Sequence, residues 1–278
     1  MNRPIRPKKS LGQNFLIDPN YQKKIIAALE LDEEDRLIEI GPGTGALTQH
    51  LVGNVHLTAI ELDDQLAAAL KDRYADVPSF HVVHEDVMKL PLSAVADHVE
   101  TVKVVGNIPY NITSPLIFKL LERDARPALI VVMVQKEVAD RIVAPPGDKD
   151  FGALSVGVQA VAEAERLFVV PRGAFRPVPK VDSAVVRIVP RRPFELTPRD
   201  EADLRDLTRA AFAMRRKQFQ KILRSAAGFE LDATQVGALE AQMGFALTVR
   251  PEELSATQFV ALSRLLRAIG YPTTSAAS

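Results

Sequence analysis

The sequence predicts an α/β fold: a largely parallel sheet with helices on both faces, followed by a small all-α domain. Three observations carry this expectation. Strand-like apolar runs alternate with helix-like segments from residue 19 to about 145. A glycine-rich turn, Gly41-Pro42-Gly43-Thr44-Gly45, joins one of these strands to a helix. From Thr197 onward the pattern is helical throughout.

The elements follow in order. Asp18-Pro19 supplies an N-cap and a first-turn proline for a helix over Tyr21–Glu30. Arg36–Ile40 reads as a strand and Thr44–Val52 as a helix. Val55–Leu62 is a strand and Asp64–Tyr74 a helix. Phe80–His84 is a strand ending at Glu85-Asp86. Thr101–Gly106 is another strand, followed by a helix near Pro115–Arg123. Leu129–Val134 reads as a buried strand and Lys136–Val143 as a helix. Pro145-Pro146-Gly147-Asp148-Lys149-Asp150 is a polar turn cluster, expected as an exposed loop. Ala164–Val170 and Ser183–Val189 are β-rich runs around a proline-rich connection, suited to an antiparallel hairpin. Helices are expected over Asp200–Ala213, Arg215–Ala226, Thr234–Met243 and Ser255–Ile269. The domain organisation expected is therefore a basic segment 1–18, an α/β domain 19–192, a helical domain 193–271 and a disordered polar tail 272–278. No internal repeat is visible.

Composition excludes several classes. The 278 residues are 47% hydrophobic and 25% charged, as in ordinary globular chains. No run approaches the roughly 20 apolar residues that span a bilayer. The basic start leads into no apolar stretch, so a secretory signal is not expected. There is no cysteine, hence neither disulfides nor a thiolate metal site. A cytoplasmic protein without a membrane partner is the expectation. The formal net charge of zero hides a segregation. Residues 1–17 hold four basic residues and no acid, and residues 172–224 hold 14 basic against six acidic. Segregated charge suits a polyanion on one side, although solvated helix faces give the same count.

The residues with chemistry sit at strand ends. Glycines in Gly41–Gly45 let a backbone approach a ligand closely. Glu61, twenty residues after Gly41, ends the next strand, where a carboxylate can accept both hydroxyls of a ribose. Asp86 ends the third strand, where it can meet an adenine amino group. Carboxyl ends of neighbouring strands are where open α/β sheets bind ligands. Gly41-x-Gly43-x-x-Ala46 with an acid about 20 residues on also fits a nicotinamide dinucleotide fingerprint. After the fourth strand comes Asn107-Ile108-Pro109-Tyr110. The Asn oxygen is an acceptor, Pro restrains the residue before it, and the Ile108 carbonyl can point outward as a second acceptor. With the Tyr110 ring, the set suits a planar exocyclic NH2 group such as that of adenine. Asn and Pro are equally common in turns that merely end a strand. A dehydrogenase has no evident use for such a clamp, and the five histidines are scattered.

Glu39–Gly45, Glu61, Asp86 and Asn107–Tyr110 together resemble the motifs of S-adenosylmethionine-dependent adenine-N6 methyltransferases. Lys8–Asp18 (KKSLGQNFLID) resembles the N-terminal signature of the rRNA adenine dimethyltransferases, and Phe175–Ser183 (FRPVPKVDS) resembles their post-catalytic loop. The likeness is greatest to the bacterial small-subunit (16S) members. It implies a Rossmann-like, seven-stranded class I methyltransferase sheet with its last strand antiparallel. It implies S-adenosylmethionine as cofactor. Asn14 and Leu16 would line its site, Gly41 and Gly43 would contact it, Glu61 would take the ribose and Asp86 the adenine. Asn107 would border both cofactor and target. Ile108 stands where many members carry Leu, which leaves the carbonyl in place. The reaction implied is N6,N6-dimethylation of two adjacent adenines in the 3′-terminal hairpin loop of small-subunit rRNA, in an immature 30S subunit, by a monomer. A large-subunit rRNA methyltransferase, or a noncatalytic RNA-binding assembly factor, are the alternatives.

Physical reasoning fills in roles. An adenine N6 lone pair is delocalised into the ring, so two acceptors on its N–H bonds favour a pyramidal, nucleophilic nitrogen. No general base is nominated. The target base must leave its stack, and Tyr110 and Phe175 are the candidate ring faces. Arg215, Arg216 and Lys217, with Lys221 and Arg224, form a basic band on the expected helix over Arg215–Ala226 and are the candidate RNA contacts. The Arg3–Lys9 segment is expected to be ordered only by RNA or cofactor.

Overall fold

The computed structural model describes residues 13–271. The segment Arg3–Lys9, the Lys8–Gly12 part of the N-terminal signature and the tail 272–278 lie outside the described residues. Among the described residues no helix is long and apolar enough to cross a membrane.

A two-residue strand, β1 (Phe15–Leu16), leads into α1 (Pro19–Ala27). Asp18 caps that helix by accepting the Asn20 N–H at 2.8 Å, with proline in the first turn. Then β2 (Arg36–Ile40), α2 (Thr48–Leu51), β3 (His56–Glu61), α3 (Asp64–Arg73), β4 (Phe80–His84) and β5 (Lys103–Asn107) follow. Next come α4 (Thr113–Leu120), β6 (Leu129–Gln135) and α5 (Lys136–Val143). α2 is shorter than the expected Thr44–Val52. Gly41, Gly43 and Gly45 have φ of +64°, +60° and +86°, so the chain turns before it coils. The remaining strands are β7 (Ala162–Val170), β8 (Phe175–Arg176) and β9 (Ser183–Pro190).

One sheet has seven strands in the order β4-β3-β2-β5-β6-β9-β7, and β1 pairs β8 in a second, two-stranded one. Neighbours from β4 to β6 run parallel, while β9 is antiparallel to β6. The fold class is the expected one, antiparallel last strand included. The central strands are buried on both faces, β6 from Leu129 to Val134 without interruption, as a sheet covered by helices requires. Strand order reverses between β2 and β5, and crevices at such switch points hold ligands. Gly106 allows these two strands to pack closely: a Cβ there would lie 2.7 Å from the Ile40 carbonyl oxygen.

By compactness the chain forms two units. One comprises the described residues up to Ala139 together with Ala164–Pro190; the other comprises Asp140–Glu163 and the described chain from Arg191. The expected division was a single cut near residue 192. Residues 140–163 instead gather with the helical unit, because a helix not anticipated from sequence, α6 (Ala153–Gln159), packs on α7 (Pro198–Ala213) and α10 (Ala256–Ala268). The helical unit also holds α8 (Phe219–Ser225) and α9 (Ala233–Met243). Its core includes stacked Phe212 and Phe259, with Phe151 and Phe219 against them. Buried Asp200 and Asp203 on α7 pair with Arg264 and Arg267 on α10 at 2.7–2.9 Å.

The expected helix over Arg215–Ala226 begins only at Phe219. Arg215, Arg216 and Lys217 lie on the turn after α7. The reason is a long-range one: the first-turn N–H groups of Phe219 and Gln220 donate to the Val249 and Leu247 carbonyls, both at 2.8 Å. That fixes where α8 starts and leaves the preceding residues to the turn.

Candidate active site

The carboxyl ends of β2, β3, β4 and β5 open into a cleft of about 310 Å³. It is roofed by residues 13–16. Gly41 is tied to β3 by its N–H on the Ile60 carbonyl, 2.9 Å. Gly43 lies under the Phe15 ring, where an added Cβ would come within 3.0 Å. Arg73 Nη1 donates to the Thr44 carbonyl at 3.2 Å and steadies the glycine turn.

Four acids line this cleft, Glu39, Glu61, Glu85 and Asp86. Glu61 accepts the Gly43 N–H on one oxygen (3.0 Å) and the Asp63 N–H on the other (2.8 Å). Burial pushes its carboxyl pKa up, and these N–H bonds oppose the rise. Each oxygen keeps a further lone pair, which is what a vicinal diol needs. Asp86 accepts the Met88 N–H on Oδ1 at 2.9 Å, and Lys119 Nζ donates to the Met88 carbonyl at 2.8 Å. Glu39 is 1% exposed and accepts from Thr48 Oγ1 at 2.7 Å. Burial raises its pKa to about 7.

The clamp follows β5. Asn107 Nδ2 donates to the Asn14 backbone carbonyl at 2.9 Å. A carbonyl only accepts, so the amide must turn its NH2 toward Asn14, which leaves Oδ1 as its acceptor for the cleft. The Ile108 N–H is taken by the Met133 carbonyl at 3.0 Å, which sets the plane of the peptide at the start of the clamp. The Ile108 side chain is buried, so its contribution to the cleft is backbone. Tyr110 is half-buried, with its hydroxyl 3.3 Å from Ser183 Oγ.

Thus Asn14, Leu16, Gly41, Gly43, Glu61, Asp86 and Asn107–Tyr110 all line one cleft. Phe175 does not. The expectation that it offers a ring to a base fails: its side chain is 1% exposed within the core cluster, and its backbone pairs with Leu16. The β1–β8 pairing puts that ring inward, a placement its sequence neighbours do not announce. Among the basic candidates, Arg215 is engaged, donating to the Lys149 carbonyl at 2.6 Å and lying 3.6 Å from Glu252. Arg216, Lys217, Lys221 and Arg224 are exposed.

Gln13, Glu39, Leu62 and Met88 are among the cleft residues that were not singled out from sequence. Gln13 Nε2 donates to Asp63 at 3.1 Å and so ties the roof to the cap of α3. Glu39 stood inside the quoted motif without a role. Leu62, 49% exposed, and Met88 add apolar walls. Adjacency to Glu61 and Asp86 was the signal that could have found both.

The arrangement fits an adenosyl ligand. A diol acceptor, a second carboxylate one strand over and apolar walls match a ribose and a purine, and the glycine turn allows close backbone approach.

Comparison with known proteins agrees with this chemistry. The family model described as ribosomal RNA adenine dimethylase matches residues 5–247. A ribosomal RNA small subunit methyltransferase A of Geobacter metallireducens is 40% identical, covering 96% of this chain and 98% of its own. One from a Synechococcus species is 43% identical over 94% of this chain and 93% of its own. Among solved structures, a dimethyladenosine transferase from Plasmodium falciparum superposes with a TM-score of 0.78 at 26% identity, covering 93% of this chain and 99% of that one. The 23S rRNA methyltransferase ErmE gives 0.69 at 26% identity, over 91% and 99%.

Proposed function

We propose, on the premise that this chain belongs to the ribosomal RNA adenine dimethylase family, that it transfers methyl groups from S-adenosylmethionine to N6 of adenines in small-subunit rRNA. The relatives named as small subunit methyltransferases, alike over nearly their whole length, support this substrate over large-subunit rRNA. The targets proposed are two adjacent adenines in the 3′-terminal hairpin loop of 16S rRNA, met in an immature 30S subunit.

The residues divide the work as follows. Glu61 holds the ribose hydroxyls, Asp86 the adenine amino group, and Gly41 and Gly43 the close backbone approach. Asn14 and Leu16 close the cofactor side. When bound, S-adenosylmethionine supplies an electrophilic sulfonium methyl, so the hard chemistry is the cofactor's. Asn107 Oδ1 and the Ile108 carbonyl accept the two N–H bonds of the target amino group. Fixed acceptors of this kind draw the lone pair out of the ring and need no reorganisation during reaction. Pro109 holds the turn, and Tyr110 offers a face to the extruded base. Nothing in the site is assigned as a general base, because a methylated ammonium loses its proton readily to water.

The observation that carries the reading is the Asn107–Asn14 bond, which orients the clamp acceptor from the cofactor's own roof. The test is incubation with labelled S-adenosylmethionine and unmethylated small subunits, with the label mapped. Transfer to adenine N6 is expected; transfer only to large-subunit rRNA would overturn the substrate. Asn107→Ala is expected to lower transfer by at least about 10²-fold, the scale for losing one preorganised electrostatic group. RNA affinity should stay near wild type, and loss of both together would contradict the role.

A further inference from the structure

The connection Arg172–Asp182 carries a distinctive surface. Arg172, Arg176 and Lys180 are exposed cations spaced four residues apart. Between and beside them Val178 is 51% and Val181 41% exposed, and Ile17, at the foot of the roof strand, is 49% exposed. These three are half of the six large apolar side chains that stand out into solvent among the described residues. A local acid, Asp182, already has Oδ1 taken by the Arg172 N–H at 2.9 Å. The surface is therefore cationic and apolar at once.

Its anchoring ties it to the clamp at both ends. At one end Ile17 N–H donates to the Ala174 carbonyl at 2.8 Å, and β8 pairs with β1, next to the Asn14 carbonyl that orients Asn107. At the other, Ser183 reaches the Tyr110 hydroxyl, and the Asp182 carbonyl accepts the Lys136 N–H at 3.0 Å. Both feet of the connection thus stand beside residues of the clamp. An adenine delivered to Asn107 and Tyr110 brings its own phosphate and its neighbours' phosphates and bases to the surrounding surface. A strand splayed out of a loop shows both anionic backbone and unstacked base faces, which call for cations interleaved with apolar side chains.

From this juxtaposition we infer that the Arg172–Asp182 connection is the contact surface for the nucleotides flanking the target adenine. Arg172 and Lys180 take phosphates, and Val178 and Val181 take apolar contact with the splayed bases. Arg176 is partly structural, since its Nη1 donates to the Phe175 carbonyl at 2.8 Å. The inference rests on the rRNA reading above.

The experiment compares full-length wild type with the double variant Arg172→Gln/Lys180→Gln, using the 3′-terminal hairpin of unmethylated small-subunit rRNA. Each phosphate contact contributes about 0.7–0.9 to the slope of log affinity against log salt. The variant is expected to lower that slope by about 1–2 and to lose roughly tenfold or more in RNA affinity at low salt. Its S-adenosylmethionine affinity and thermal midpoint should match wild type. Neutralising Lys23 and Lys71, exposed cations on α1 and α3, should leave the slope unaltered. A second variant, Val178→Ser/Val181→Ser, is expected to weaken binding with the slope intact. An unchanged slope in the Arg172/Lys180 variant, or an equal fall in the Lys23/Lys71 control, would overturn the assignment while wild-type methylation of the hairpin stands. A wild type that methylates neither the hairpin nor unmethylated small subunits would instead sink the rRNA reading itself.

Discussion

Replacing Glu39 by Gln isolates one buried charge in the wall of the cofactor cleft. Glu39 is the penultimate residue of β2, is 1% exposed and is bonded to Thr48 Oγ1. Burial raises its pKa from 4.5 to about 7, against the Thr48 hydrogen bonds and with a smaller push from the Glu61 charge. The folded chain therefore keeps a proton that the unfolded chain has released between these two values. Its contribution to stability is most favourable below about pH 4.5, falls as the pH rises, and is least favourable above about 7. At 1.36 kcal/mol per pKa unit the full swing is about 3 kcal/mol. Gln keeps an oxygen for Thr48 and carries no charge. Urea unfolding at pH 8 is expected to find Glu39→Gln more stable than wild type by up to about 3 kcal/mol. The two curves should converge near pH 4.5. Equal stability at pH 8, or a gap that widens on acidification, would refute the reasoning. A cationic ligand in the cleft favours the carboxylate, so S-adenosylmethionine should bind more tightly to wild type at pH 8 than at pH 6. That pH dependence should flatten in the Gln variant.

Other perturbations read other parts of the molecule. Ser183→Ala and Tyr110→Phe each remove one side of a 3.3 Å hydroxyl contact. Each should lower kcat several-fold, and the double variant should cost no more than either alone, because both delete the same interaction; additive losses would separate the two residues. Gly106→Ala places a Cβ 2.7 Å from the Ile40 carbonyl oxygen and 2.9 Å from Ile108 Cδ1. Denaturation should show a loss of about 1–3 kcal/mol, with a fall in transfer because Asn107 is the next residue; full stability would mean the strands separate freely. Asp200→Asn removes the buried charge from a cluster with the part-exposed Arg264 and Arg267 and should cost about 1–3 kcal/mol. The Arg264 hydrogen bond holds the Asp200 carboxyl well below the usual carboxylate range. The stability it contributes is thus present above about pH 4 and drains away as the pH falls further, and the variant should lack that part of the acid sensitivity.

The strands of the sheet were legible as short β-rich runs bounded by turns, and only a central strand such as β6 is also buried throughout as an unbroken apolar run. Arg36–Ile40 and Phe80–His84 match their strands residue for residue, and Leu129–Val134 misses one residue of β6. Caps were legible for a local reason: Asp18-Pro19 needs only its own neighbours. What escaped depends on partners distant in sequence. α6 contains a glycine and two valines, poor helix formers, and is held by packing on α7 and α10. The start of α8 is set by carbonyls at Leu247 and Val249, so a cationic run that reads as helix became a turn. The cleft residues Glu61, Asp86 and Asn107 could be named in advance because parallel strands deliver their carboxyl ends to one side; Asn14 was legible only through the family resemblance. Whether Phe175 faces a ligand or the core depended on a two-residue pairing with Leu16, which periodicity cannot reveal.

That pairing has a kinetic side. The contacts that hold the roof over the cleft include two residue pairs between β1 and β8, the Ile17–Ala174 and Gln22–Leu16 bonds, the Gln13–Asp63 bond and the Asn14–Asn107 bond. Lifting the roof leaves every strand of the large sheet paired. Such local openings are expected to cost less than global unfolding. On the proposed function, such a local opening would let spent cofactor be exchanged between the two methyl transfers in an otherwise intact domain. On the proposed mechanism, each such opening would also release the Asn107 amide from the Asn14 carbonyl, so the acceptor would lose its orientation as the cofactor leaves.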